Sequence, residues 1–259
     1  MLEIFDSHAH YDSGAFDEDR DLLLTALPQK GVCGVINCAD TLESAARSAT
    51  LCAQYPFMYM AAGVHPENAA DVDMMILEEQ LAPHLKAPKT VAVGEIGLDY
   101  YWEDACPREK QLQVFETQLQ IAQKYDLPVI VHDREAHADT VRLLRQYRPR
   151  GVVHCFSGSV ETMKEIVGLG MYIGLGGVVT FKNAKTPVEV AAAVPLDRLL
   201  LETDAPYMAP VPFRGKRCDS SLIPLAAEKI AELRGMSAEE ILHITAQNVR
   251  TLFKIEKTL

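Results

Sequence analysis

The sequence predicts a (β/α)8 barrel in one domain, with additional helices at its C-terminal end. Three observations carry this reading. Eight short apolar, β-rich runs recur at fairly even intervals. Helical patterns lie between most of them. The chain is 259 residues long, which suits one large barrel. A doubly wound open sheet is the competing arrangement. No stretch rich in Gly, Pro or Ser divides the chain.

The runs are "EIFDSH" (3–8), "VCGVIN" (32–37), "FMYMAAG" (57–63), "TVAVGE" (90–95), "PVIVH" (128–132), "GVVHC" (151–155), "MYIGL" (171–175) and "RLLLET" (198–203). Several are apolar on consecutive positions, as strands buried on both faces are. Helical spacing marks 41–55 and, most clearly, 106–126, where Pro107 opens the first turn and Leu112, Phe115, Leu119 and Ala122 form a stripe. Residues 159–170 run from a Ser cap to a glycine. A short helix follows at 186–195, then two more near 222–234 and 237–253. Ser237 and Glu240 open the last with a capping-box pattern.

Composition sets the class. Apolar residues make up 48% and charged residues 24%, ordinary for a soluble globular protein. The N-terminus lacks the basic and apolar regions of a signal peptide, and no apolar run has the length of a membrane span. Six scattered cysteines form no CxxC pair and suggest reduced thiols in a cytoplasm. The net charge of -11 argues against coating duplex nucleic acid over a broad face. It leaves room for a small basic patch beside a metal-filled cleft, because bound cations add charge that residue counting misses.

The metal-capable residues collect at strand ends. His8 and His10 end the first run, Glu95 the fourth and His132 the fifth; His154 is near the end of the sixth, and Asp204 follows the eighth. In a barrel these ends form one face, where active sites are built. Alternation puts positions i and i+2 on one side of a strand, so His8 and His10 can reach one point. A carboxylate buried at a strand end must be paired, protonated or metal-bound. Four histidines and two carboxylates exceed the needs of one zinc ion. They suit two divalent ions about 3.5–4 Å apart, bridged by Glu95. His8, His10, Glu95 and Asp204 would serve one ion; His132, His154 and the shared Glu95 would serve the other. A bridging hydroxide would then be the nucleophile, with Asp204 holding the water and receiving its proton.

Other motifs fare worse. "GLGG" at 174–177 lacks the spacing of a dinucleotide loop, no Walker A motif exists, and "FSGS" is not a nucleophile elbow. Cys155 neighbours His154 and, by strand alternation, is expected in the core. His65, in "GVHPE", is either a donor to a substrate oxygen or a loop cap. Arg134 is either an anion ligand or a first-turn surface residue; Asp99 either supports a ligand or bonds its own loop. His84, His137 and His243 read as surface residues. Arg214 and Lys216 in "FRGKR" (213–217), with Lys182 and Lys185, read as a phosphate-binding rim or as a solvated face. Tyr100, Tyr101, Trp102 and Tyr207 either stack on bases or pack over the barrel mouth.

Together "FDSHAHYD", "GVHPE", "VGEIGLDYY", "PVIVHDREAH", "HCFSGS", "GGVVTFKNAK" and "LLLETDAPYMAPVPFRGKR" resemble the TatD family of metal-dependent deoxyribonucleases, in order, from about residue 4 to residue 253. The resemblance implies a TIM barrel related to the amidohydrolases. It implies two or more divalent ions (Mg2+, Zn2+ or Mn2+) at His8, His10, Glu95, His132, His154 and Asp204. It also implies cytosolic nuclease action on DNA ends or single strands. One departure stands out. After "RGKR" the family usually continues with Asn, an acidic residue and Pro, whereas here Cys218, Asp219 and Ser220 follow. That substitution leaves the shape of the substrate rim open.

The leading expectation is a DNA exonuclease acting on phosphodiester bonds of DNA or nucleic-acid fragments, with no membrane partner; the sequence leaves the oligomeric state open, with a monomer favoured. A metallohydrolase of an ester, lactone or amide bond, such as an aminoacyl-RNA deacylase, is the alternative. A metal-bound interaction module is the third reading.

Overall fold

The computed structural model describes residues 2–102 and 105–256. The chain alternates strands and helices. In order they are β1 (Ile4–Ala9), α1 (Arg20–Ala26), β2 (Val32–Cys38), α2 (Leu42–Gln54), β3 (Met58–Ala62), α3 (Leu77–Leu85), β4 (Thr90–Asp99), α4 (Arg108–Lys124), β5 (Val129–Arg134), α5 (His137–Tyr147), β6 (Gly151–Val153), α6 (Val160–Gly168), β7 (Tyr172–Leu175), α7 (Lys185–Ala193), β8 (Leu199–Leu201), α8 (Ile223–Arg234) and α9 (Ala238–Phe253). The strands form one sheet in sequence order, each parallel to the next. Past the end of β8, Ala205 bridges to Ala9, and His10 N–H donates to Ala205 O at 2.7 Å. The sheet thus closes toward a barrel, as predicted.

One side chain from each strand fills the lumen: Phe5, Ile36, Ala61, Ala92, Ile130, Val152, Tyr172 and Leu200. Val249, Leu252, Phe253 and Ile255, in and just after α9, join this cluster. Glu3, just before β1, pairs with Arg250 and His243 of α9 at 2.7 and 2.8 Å. The last helix therefore caps the N-terminal end of the barrel. Two residues further along the strands, alternation points Ser7, Cys38, Gly63, Gly94, His132, His154, Gly174 and Glu202 inward. Small residues in this layer leave room for the larger polar ones. A methyl group at Gly174 would lie 2.4 Å from Glu202 Oε2, so the Glu202 side chain folds across that position.

Some boundaries differ from the sequence reading. β4 runs on to Asp99, so Glu95 lies within the strand, at a register shift between Val93 and Ile96. β6 stops at Val153, and Cys155 takes a left-handed conformation, φ 42°. Strand alternation therefore does not apply to Cys155, which is partly exposed rather than a core residue. α1, α3 and α5 lie outside the stretches that periodicity marks. α1 has seven residues, too few to show a stripe, and α3 carries Pro83 inside it. Among the described residues no helix is long and apolar enough to cross a membrane.

Because Phe253 is packed at the barrel floor, Phe253→Ala is expected to lower stability by about 3–5 kcal/mol. Chemical denaturation measures this, and a loss below about 1 kcal/mol would contradict the capping role of α9.

Candidate metal centre

Five strands or strand-ends bring their polar side chains to the mouth of the barrel. Two of the six predicted ligands break simple alternation. His8 lies in a register shift between Asp6 and Ala9, and Glu95 in the one in β4. Such irregularities re-aim side chains toward a site. Asp204 arrives by the closing contact: its N–H donates to His8 O at 3.0 Å, and its φ is 59°. Asp tolerates that left-handed geometry better than most residues.

Glu95 sits at the centre with a side chain only 4% exposed, and its two oxygens face different neighbours. Oε2 lies 3.2 Å from His8 Nε2 and 3.5 Å from His10 Nε2. These two imidazole nitrogens are 3.0 Å apart, and Asp204 Oδ1 is 3.7 and 3.5 Å from them. Oε1 lies 2.7 Å from His154 Nε2, 2.9 Å from His132 Nδ1 and 3.5 Å from His65 Nε2. The structure therefore brings all six residues together around Glu95, with His154 also close to His8 and Asp204 of the other expected group. His8 and His154 stack between the groups, ring centroids 3.8 Å apart.

Further partners orient the rings. His10 Nδ1–H donates to Cys38 O at 2.8 Å, which leaves Nε2 as the free donor atom. His132 Nε2–H donates to Asp99 Oδ2 at 3.0 Å, which leaves Nδ1 to face Glu95. A carboxylate behind an imidazole is the usual support of a metal ligand. Asp99 fills both sequence readings, since its Oδ1 also accepts from Tyr101 N–H at 2.9 Å. His154 Nδ1 is 3.6 Å from Glu202 Oε1, which itself accepts from Cys155 N–H. The sequence reading missed Glu202. Its signal was its place two residues beyond the lumen residue Leu200.

Electrostatics follow from crowding. Burial opposes charge on Glu95, yet the surrounding imidazoles hold its carboxyl well below the usual range. Burial also lowers His10, but Asp204 and Glu95 outweigh it and raise the ring to about 9. His132 rises to about 8 in the same way, through Asp99 and Glu95. Burial dominates at His65, which falls to about 3. Without a cation the centre gathers protons around its carboxylates. Nitrogen and oxygen donors that converge like this fit divalent ions, which would replace those protons. The groups His8–His10–Glu95, His8–His154–Asp204 and His65–Glu95–His132 each have ligand atoms within 4.8 Å of one another.

The remaining predicted residues fall around the mouth. His65 caps a 3-10 turn, its Nδ1 accepting from Glu67 N–H at 3.2 Å, and it also reaches Glu95. Arg134 ends β5 rather than starting a helix, and its guanidinium lies 3.8 Å from the centroid of Tyr101. Arg214 lies 4.3 Å from the centroid of Phe181. Arg214 and Lys216 line a groove of about 610 Å3 with Phe181, Tyr207 and Met208. Arg217 is committed elsewhere, in a bidentate pair with Asp19 at 2.7 and 2.6 Å. His137 pairs with Asp133 at 2.7 Å, and His243 with Glu3 on the surface.

The departed segment turns inward rather than shaping the rim. Cys218 and Ser220 are buried. Ser220 Oγ donates to Asp6 Oδ2 at 2.6 Å and contacts Tyr11 Oη at 2.8 Å. Asp6 also accepts from Thr203 Oγ1–H at 2.6 Å, Thr203 N–H at 3.0 Å and His8 N–H at 3.2 Å. This knot ties the strand that carries His8 to the segment that carries Asp204.

A parallel eight-stranded barrel with a histidine–carboxylate centre at the carboxyl ends of its strands defines a metallohydrolase class. Comparison with known proteins narrows this. The family described as TatD related DNase matches residues 5–254, and the chain belongs to it. The Bacillus subtilis protein named uncharacterized metal-dependent hydrolase YabD is 40% identical, over 97% of this chain and 99% of its own. An Escherichia fergusonii relative named 3'-5' ssDNA/RNA exonuclease TatD is 33% identical, over 97% and 99%. The crystal structure of the TatD homolog YjjV from Escherichia coli superposes with a TM-score of 0.89 at 36% identity, covering 98% of each chain.

Asp99→Asn keeps an acceptor for Tyr101 N–H but removes the carboxylate behind His132. It is expected to weaken metal affinity about 10–100-fold. Titration against a competing chelator measures this, and unchanged affinity would contradict the support role.

Proposed function

We propose that the chain is a divalent-metal-dependent deoxyribonuclease, an exonuclease that hydrolyses DNA phosphodiester bonds and in which Glu95 and the residues around it would hold two ions. One observation carries this reading: the two oxygens of a single buried carboxylate face separate groups of ligand atoms. His8, His10 and Asp204 would complete one site, and His132 and His154 the other. When bound, Mg2+, Mn2+ or Zn2+ supplies Lewis acidity toward phosphoryl oxygens and lowers the pKa of water near them.

The chain's own residues do the rest. Asp204, at 16% side-chain exposure, is the site carboxylate more open to solvent, and it accepts the proton of the attacking water. His65 stays neutral because burial holds its pKa low. Its Nδ1 accepts from Glu67 N–H, so its proton sits on Nε2, on the side facing Glu95, where it can donate to a substrate oxygen. Arg134, Arg214 and Lys216 hold flanking phosphates around the mouth. The relative named as an exonuclease supports the nucleic-acid substrate. The reading places the enzyme in the cytoplasm; its six unjoined cysteines support a reducing compartment.

Metal-defined protein is incubated with 3'- and 5'-labelled single- and double-stranded DNA in Mg2+, Mn2+, Zn2+ or EDTA. Metal-dependent shortening from one end is the expected result. Glu95→Ala should reduce it at least about 100-fold, since even an outer partner of a metal ligand costs 10–100-fold. Cleavage that survives in EDTA or in Glu95→Ala would overturn the proposal.

A further inference from the structure

The β4–β5 side of the mouth carries a cluster that the centre itself does not use. Arg134 follows His132 by two residues in β5, so alternation sets its side chain on the same side of the strand, one step nearer solvent. Its guanidinium lies 3.8 Å from the Tyr101 ring centroid and 5.7 Å from that of Trp102. Tyr101 and Trp102 meet edge to face at 4.8 Å, and they are 47% and 50% exposed. Among the described residues no carboxylate or carbonyl oxygen accepts a hydrogen bond from the Arg134 guanidinium. Stacking on a ring face leaves the planar N–H donors of a guanidinium directed outward, where they can meet an anion.

The cluster is also held in register with the centre. Asp99 Oδ1 accepts from Tyr101 N–H at 2.9 Å and Trp102 N–H at 3.4 Å, while Oδ2 of the same carboxylate accepts from His132. One side chain therefore fixes both a candidate metal ligand and the turn that presents two exposed rings. Exposed aromatic faces beside a ring-stacked arginine suit a phosphate joined to an unpaired base.

We propose that Arg134, Tyr101 and Trp102 form a nucleotide subsite, in which Arg134 binds a backbone phosphate and the two rings stack on an unpaired base of the strand entering the centre. This rests on the nucleic-acid reading above. The subsite favours a single strand, because a base held in a duplex offers its faces to its neighbours instead.

Trp102 is the only tryptophan in the chain, so its emission reports on the subsite directly. The first probe is a single-stranded oligothymidylate with cleavage-resistant phosphorothioate linkages. It is expected to quench Trp102 emission saturably, with about tenfold weaker binding in Arg134→Lys and in Tyr101→Leu. The second readout is turnover. Trp102→Ala should raise KM for single-stranded DNA about tenfold, leaving kcat and the hydrolysis of methyl p-nitrophenyl phosphate near wild type. Unaltered emission at saturating oligonucleotide, with an unchanged KM in Trp102→Ala, would overturn the subsite even if DNA is cleaved. Saturable quenching lost in the variants, with no DNA cleaved under any metal, would uphold the subsite and overturn the nuclease reading instead.

Discussion

A buried carboxylate is the constraint on which the barrel mouth depends. Glu95 is 3% exposed, and an uncompensated charge there would cost several kcal/mol. The fold answers by placing five imidazoles within 3.5 Å of its two oxygens. That arrangement requires β1, the turn after β3, β5 and the end of β6 to reach one point from different parts of the chain. Nearby carboxylates raise His10, His132 and His154, which hold protons unless cations take their place, while burial lowers His8 and His65. The same crowding that makes Glu95 tolerable thus makes the centre receptive to metal.

Rigid attachments hold this cluster behind its first ring of residues. The four hydrogen bonds accepted by Asp6 join β1, the segment after β8 and Ser220. Asp99 fixes His132, and Cys38 O fixes the tautomer of His10. Small residues in the inward layer leave space, while the apolar layer below and α9 seal the floor. The centre is therefore carried by strands and their immediate ends, which position side chains more precisely than long loops do.

Much of this was legible in the sequence. Consecutive apolar runs gave the parallel strands, and each of the six ligand candidates stood at or near the end of a run. What alternation could not reveal were the irregularities. His8 and Glu95 reach the site through register shifts, which no residue pattern announces. Cys155 was misplaced because β6 ends two residues earlier than its composition suggests. Glu202 went unnoticed because its inward direction shows only once Leu200 is known to line the lumen. Cys218 and Ser220 differ from the family pattern beside a basic stretch, yet they point into the protein. Their partners, Pro206, Asp6 and Tyr11, are distant enough in sequence that only the folded chain connects them.

The most direct measurement is anomalous diffraction from crystals grown with Mn2+, recorded on both sides of the manganese absorption edge. Two peaks about 3.5–4 Å apart are predicted. One should lie beside His8, His10 and Glu95 Oε2, and the other beside His132, His154 and Glu95 Oε1. A single peak, or peaks that do not share Glu95, would contradict a carboxylate-bridged pair of ions.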